Sequence, residues 1–270
     1  MNIRSLDPDY RDLAFSNVCQ NPAGMNLVLL TQLDLRADDR AVVADGRAEH
    51  LRRVLKVTPG AAVRIGIING PLGIGTVTDV STDQVHLRCA WDASAPECPR
   101  VDVLLALPRP KVLRRLWAQL AALGVGQVIL TNAEKVERDY FDSHVLEEAG
   151  YQPLLIEGLQ QARDTHMPTV SIHKRFKVLV EDDLDTLCPN QRRIVAHPGL
   201  DVSIVSALGT GAPTQRVLIA IGPEGGWNDF ELHLLDAHGF TRVGMGPRTL
   251  ATTTACIALL TLVHEAMRRE

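Results

Sequence analysis

Residues 217–232, VLIAIGPEGGWNDFEL, run an apolar strand straight into Gly222-Pro223-Glu224-Gly225-Gly226. Three glycines and a proline make a tight turn whose backbone N–H and C=O groups face outward. The missing side chains let a ligand approach the backbone closely. Asn228 or Asp229 is placed to cap the helix that follows. Residues 241–260, TRVGMGPRTLATTTACIALL, repeat the design, with a strand, then Gly244-Met245-Gly246-Pro247-Arg248, then a helix. Either loop alone matches an ordinary strand-to-helix connection. At consecutive strand ends of a parallel sheet the two are expected side by side, forming one cleft. Neither GxxxxGK(S/T) nor GxGxxG is present, so these are not the usual triphosphate or dinucleotide loops, and no GxSxG elbow supports a hydrolase.

A second kind of chemistry lies in LPRPKVLRRLWAQLAAL, residues 107–123. On a helix Lys111, Arg114 and Arg115 share one face, while Leu113, Leu116, Trp117 and Leu120 face inward. Arg109 adds positive charge, and no acid interrupts residues 103–133. A solvated helix face explains such a cluster; phosphate binding is the functional alternative. In EGLQQARDTHMP, residues 157–168, Gln160, Gln161 and Arg163 end a helix ahead of Pro168. His50 and His197 stand alone, without the spacing of a metal or relay pair.

The elements that must position these residues fall into two rhythms. From Met25 to about Ala95 the chain reads as short strands: MNLVLL, AVRIGIIN, GIGTVTDV and QVHLRCAWD, with a helix over RAEHLRRVLK. Asn69-Gly70 marks a hairpin, because both residues tolerate positive φ. A small β-barrel is the expected package. Pro96 and Pro99 mark the linker. Beyond it strands and helices alternate, which calls for a parallel α/β sheet. Helices are expected over 111–123, 143–163, 228–238 and 254–268. The last is apolar nearly all round through Val263, so a neighbouring domain or second subunit must bury it. The expected division is 1–24 as a flexible extension, 25–95 as the barrel and 96–270 as the α/β domain.

Composition bounds the rest. The 270 residues carry 46% hydrophobic and 22% charged residues, enough for two cores and too apolar for disorder. Five scattered cysteines without a CxxC pair support neither a disulfide framework nor a zinc site. Net charge is -4, so nucleic acid would have to meet a local basic patch. Only 4% of residues are aromatic, which argues against stacking platforms. No apolar run reaches the length of a membrane span. The N-terminus lacks a basic flank followed by an apolar block, so a cytoplasmic protein is expected.

From Met25 onward these stretches resemble the ribosomal RNA small subunit methyltransferase E family, of the SPOUT class. His50-Leu51-Arg52-Arg53-Val54-Leu55-Lys56 with Pro59-Gly60 is similar to the family's HxxxVLR and PG pattern. The basic helix from Lys111 to Leu123-Gly124-Val125 matches too, with Ala122 where Glu is usual. Glu134 to Tyr140 resembles the family's segment after the second strand. Glu157 to Arg163 resembles EAxxQSxR, with Ala162 in place of Ser. The match is most specific at Gly222 to Trp227, and at Gly246-Pro247-Arg248 with Leu250, Thr252, Thr254 and Ala255. Where the family reads LRTET, this chain has Leu250-Ala251-Thr252-Thr253-Thr254, losing an arginine and a glutamate.

The resemblance implies a PUA-like β-barrel joined to a parallel α/β domain whose C-terminal part forms a trefoil knot, and a homodimer through the knot helices. It implies S-adenosylmethionine as cofactor, no metal, no membrane, and 16S rRNA or the small ribosomal subunit as partner. The reaction implied is methylation of a uridine at N3. The implied cofactor-binding set is Ala220, Ile221, Gly222, Pro223, Glu224, Gly225, Gly226, Met245, Gly246, Pro247 and Leu250, with His197. Arg248 is the candidate catalytic residue, stabilising negative charge on the base or its phosphate, and Glu224 organises the loop. Arg52, Arg53, Lys111, Arg114 and Arg163 would track RNA phosphates. Ala251 and Thr253 keep two alternatives in play: a different RNA nucleotide as substrate, or an RNA-binding assembly protein with weakened catalysis.

Overall fold

The computed structural model describes residues 27–209 and 215–268; the expected extension over 1–24 lies outside them. The chain divides into two compact units. One spans the described residues up to Glu97 together with Arg163–His166; the other spans Cys98–Ala162 and the rest of the chain from Met167.

The first unit is a six-stranded sheet in the order β1-β4-β5-β6-β3-β2. Its strands are β1 (Val28–Leu30), β2 (Leu35–Arg36), β3 (Arg40–Val43), β4 (Ala62–Ile67), β5 (Leu72–Val80) and β6 (Val85–Trp91). All neighbours pair antiparallel except β1 with β4. Alternation puts Val63 and Ile65, then Val85, Leu87 and Cys89, on one face. Val28 and Leu30 from one end of the strand order share a buried cluster with Ala41 and Val43 near the other, so the sheet curls around its own core. The β4–β5 hairpin turns where the sequence marks it, with Asn69 at φ +57°. A side chain at Gly73 would strike the carbonyl of Ala90 across the ladder, so only glycine fits there.

Helix α1 (Asp45–Arg53) starts and stops earlier than its apolar spacing predicts. Only Ala48 and Leu51 of it are buried, and Lys56 leaves at φ +51°. Strands β2 and β3 have no counterpart in the sequence reading. At two and four residues they are too short to show an alternation that could be detected. Asp34, 8% exposed, fastens this corner. It accepts two bonds of 2.8 Å from the Arg47 guanidinium, and bonds from the Thr31 amide at 2.7 Å and hydroxyl at 2.9 Å.

The second unit is a fully parallel six-stranded sheet, ordered β12-β10-β11-β7-β8-β9. The strands are β7 (Val101–Ala106), β8 (Val125–Thr131), β9 (Thr169–His173), β10 (Arg192–Ala196), β11 (Val217–Ile221) and β12 (Phe240–Val243). Every residue of β7 and β11 is buried, as expected of central parallel strands covered on both faces. Asp102 is fully buried within β7. Arg216 satisfies it at 2.5 and 3.0 Å and Gln191 at 2.7 Å, which ties together the starts of β7, β10 and β11.

Helix α2 (Pro110–Ala122) has proline at its first position and buries Leu113, Leu116, Trp117, Leu120 and Ala121, as the wheel predicts. The single helix expected over 143–163 is instead a 3-10 turn (His144–Leu146), capped by Ser143, followed by α3 (Glu148–Ala162). Gly150 and Pro153 weaken its first turns. Gly158 sits against the backbone of Ala118, letting α2 and α3 pack closely. Helix α4 (Ile204–Leu208), too short to read from sequence, precedes β11; α5 (Asp229–Ala237) follows it. The last helix, α6 (Thr252–Arg268), begins two residues before its predicted start. It buries Cys256, Leu259, Leu260 and Val263 and packs on α2, α4, β7 and β11. Its own unit therefore covers most of the apolar surface that the sequence assigns to a neighbour, and Leu262 stays 46% exposed.

Candidate active site

The strand order corrects one expectation. Strands β11 and β12, which carry the two glycine-proline loops, are not neighbours, because β10 lies between them. The loops nonetheless meet: β10 ends level with both neighbours, Ala196 pairing with Val243, and its exit turns between the two loops. His197 N–H donates to Val243 O at 2.9 Å and Gly244 N–H to Val202 O at 3.0 Å. Gly244 passes so close to Leu200 that a Cβ there would overlap the Leu200 carbonyl.

The loop after β11 is held from every side. Gly226, at φ +70°, closes a turn by donating to Pro223 O at 2.8 Å. Asn228 and Glu231 form a capping box at the start of α5, with both bonds at 2.8 Å. Glu231 is 3% exposed, and its second oxygen accepts the Glu134 amide at 2.7 Å, reaching the loop after β8. From that same loop Lys135 Nζ donates to Gly225 O at 2.7 Å. Glu224 accepts the Arg109 amide at 3.3 Å, at the start of α2. Trp227 is buried and packs on Phe176, with ring centroids 5.2 Å apart.

Between the three strand ends lies a cavity of about 170 Å³. Ile221, Gly222, Pro223, Glu224, Gly225, Gly226, Met245, Gly246, Leu250 and His197 line it, and so does Arg248. Ala220 is fully buried within β11 and Pro247 is exposed, and neither lines the cavity. Ala196, Pro198, Trp227, Val243, Thr249, Thr252 and Ala255 also line it, beyond the set expected from sequence. Of the β10 exit only His197 was in the expected set; Ala196 and Pro198 were not legible because strand order is not written locally. Trp227, Thr252 and Ala255 did lie inside the motif stretches.

Chemically the cavity has an apolar floor of Ile221, Val243 and Leu250, with backbone amides and carbonyls at its rim. Glu224 and Arg248 are its charged side chains, and both are exposed. His197 Nδ1 and Trp227 Nε1 are buried without a hydrogen-bond partner among the described residues. Such orphaned atoms are costly unless a ligand or water meets them. The described residues hold no group of three or more His, Cys, Asp or Glu placed to bind a metal, and no helix long and apolar enough to cross a membrane.

The expected RNA-contacting residues are divided between the units. Lys111 and Arg114 are exposed on the outer face of α2. Arg53 is exposed but pairs with Glu49 at 2.9 Å, and Arg52 is half-buried with its Nε unpartnered. Arg163 leaves the end of α3 at φ +59° and belongs to the first unit.

A parallel sheet with a ligand-sized cleft beyond neighbouring strand ends is the general design of nucleotide-type binding sites. A family model described as an RNA methyltransferase domain matches residues 96–264. Ribosomal RNA small subunit methyltransferase E of Treponema pallidum is 32% identical over 250 residues, covering 88% of this chain and 90% of that protein. Its counterpart in Borreliella burgdorferi is 23% identical, covering 87% and 95%. The chain belongs to the ribosomal RNA small subunit methyltransferase E family. Its fold matches the crystal structure of the Neisseria gonorrhoeae member bound to S-adenosyl methionine, with a TM-score of 0.74 at 18% identity over 90% of this chain and 98% of that one.

Proposed function

We propose that the chain is an S-adenosylmethionine-dependent methyltransferase acting on N3 of a uridine in 16S rRNA. The observation that carries this is the single cleft in which three strand ends converge, with two ring nitrogens buried and unpartnered at its wall. The site fits the cofactor: the floor of Ile221, Val243 and Leu250 suits a flat apolar ring face. The backbone of 222–226 and 245–250 offers hydrogen bonds at its edge, and His197 and Trp227 line its wall.

When bound, the cofactor supplies a methyl group on a positively charged sulfur. The protein's task is then to position the acceptor, exclude water and manage one proton. As the N–CH3 bond forms, the donor's S–CH3 bond would break to leave a neutral thioether, and the N3 proton would pass to solvent at the open mouth of the cleft. Arg248, exposed at the mouth of the cleft, stabilises the negative charge that appears on the base. Glu224, engaged with the Arg109 amide, holds the loop. Lys111 and Arg114, with Arg52, Arg53 and Arg163 on the first unit, fix the RNA by its phosphates without reading sequence. The base must be presented unpaired, because pairing hides N3.

Two architectural readings belong with this function. The crossing of residues 200–202 over the end of β12, followed by the return of α6 onto β7 and β11, supports a SPOUT-type trefoil knot. The curled sheet of the first unit supports a PUA-like barrel that docks RNA. Val202, Val205 and Leu262 are 43%, 45% and 46% exposed around the packed pair α4 and α6, which supports a homodimer there.

Calorimetric titration with S-adenosylmethionine tests the cofactor, and the expected result is saturable binding. Absence of binding favours the RNA-binding alternative raised by Ala251 and Thr253. Mass spectrometry of 16S rRNA from a strain lacking the gene tests the substrate. Loss of one N3-methyluridine is expected, while loss of a different methylated nucleotide moves the reaction to another base.

A further inference from the structure

The outer face of the first unit carries a feature that the cleft does not use. Arg36 of β2 pairs directly across from Arg40 of β3, and Arg40 pairs directly across from Arg88 of β6. Three arginines therefore stand in one row over three adjacent strands. Opposed side chains in a sheet sit about 5 Å apart at Cβ, and like charges facing each other there are destabilising. All three are exposed, and among the described residues none has a carboxylate within ion-pair distance. Arg36 donates only to the Leu33 and Leu35 carbonyls, at 2.7 and 2.8 Å, which leaves its charge uncompensated.

The row borders a cavity of about 510 Å³, also lined by His86 and by one acid, Asp38, which pairs with none of the three. Three other arginines of this unit are matched, Arg47 by Asp34 and Asp45, Arg53 by Glu49 and Arg64 by Asp92, whereas Arg52 and Arg163 stand singly and not in a row. A self-repelling row beside a cavity, in a protein of net charge -4, is a cost that an anionic ligand would relieve. Guanidinium forks match phosphate oxygens bidentately. We infer that Arg36, Arg40 and Arg88 form a phosphodiester-binding row that holds the backbone of an RNA on the β2–β3–β6 face, separate from the arginines of α1. The inference rests on the RNA substrate proposed above.

The test is binding of the full-length protein to a fluorescent, single-stranded 30-nucleotide RNA at several salt concentrations. Each phosphate contact on single-stranded RNA contributes about 0.7 to the salt slope, or about fivefold in affinity at 0.1 M relative to 1 M salt. Arg40→Gln and Arg88→Gln are each expected to lose about that much, and the double variant about 25-fold. Both should melt at or above the wild-type temperature, because a repulsion is relieved. Arg88→Lys should keep the slope, and Arg64→Gln should leave it unchanged, since Asp92 already neutralises Arg64 at 3.2 Å. A double variant with wild-type slope and affinity overturns the inference, as does an Arg64→Gln loss equal to that of Arg40→Gln. Calorimetry with S-adenosylmethionine on the wild type reports separately on the enzymatic reading, so the two can fail independently.

Discussion

Arg248 and Glu224 line the same cavity but are held differently, and the roles proposed for them follow that difference. Glu224 is engaged by a backbone amide, whereas Arg248 has no ion-pair partner among the described residues and stands at the cleft mouth. Removing a charge-stabilising donor of this kind lowers turnover on the order of 100-fold. Arg248→Ala is thus expected to lose about that much in kcat while keeping its affinity for S-adenosylmethionine, as single-turnover assays and calorimetry would read. Equal loss of cofactor affinity would make Arg248 a binding residue instead. Asp34 makes a second residue-scale case. Burial pushes its carboxyl up, but the Arg47 and Thr31 bonds outweigh that and hold it below its ordinary value of 3.8. A depressed carboxylate stabilises the fold above its unfolded pKa, and that stability is lost as pH falls through the lower, folded pKa. Melting curves should show Asp34→Asn less stable than wild type at neutral pH, with the gap closing below about pH 3.8. A gap independent of pH would mean that the hydrogen-bond geometry, not the charge, holds this corner.

At the scale of elements, positions without side chains set the packing. Gly158 lets α3 lie against the Ala118 backbone of α2, the helix that carries Lys111 and Arg114. Gly158→Ala must push the two helices apart, and a cost of about 2 kcal/mol is expected, read as a lowered denaturant midpoint. An unchanged midpoint would show that the pair can slide without loss. Both α2 and its inward face were legible, because thirteen residues give a full 3.6-residue pattern. The break between Leu146 and α3 was not, because the apolar spacing runs on through it, and Gly150 and Pro153 fall inside α3 and do not mark its start. Strands β2 and β3 escaped notice for want of length, and with them the arginine row that only their register aligns.

For the whole molecule, the open question concerns the covered and uncovered sides of α6. Cys256 lies on the covered side, where burial pushes its thiol up to about 12, so it is a core residue and not a reactive one. Leu262 lies on the uncovered side. Leu262→Glu is expected to convert a dimer to a monomer in sedimentation while the far-ultraviolet spectrum stays native. A wild-type mass consistent with a monomer would remove the dimer from the proposal.

The sequence by itself determined the two rhythms of the chain, most strand and helix positions, and the two loops that line the cleft. Each of those depends on local spacing, on the backbone freedom of glycine and on the fixed φ of proline. Only the tertiary structure decided that β10 separates β11 from β12 and carries His197 between their loops. Only it brought Glu231, Lys135 and Arg109 to the same turn, and Arg36, Arg40 and Arg88 into one row. Strand order and register arise from contacts between residues as far apart in the chain as Arg109 and Glu224, and no local pattern records them.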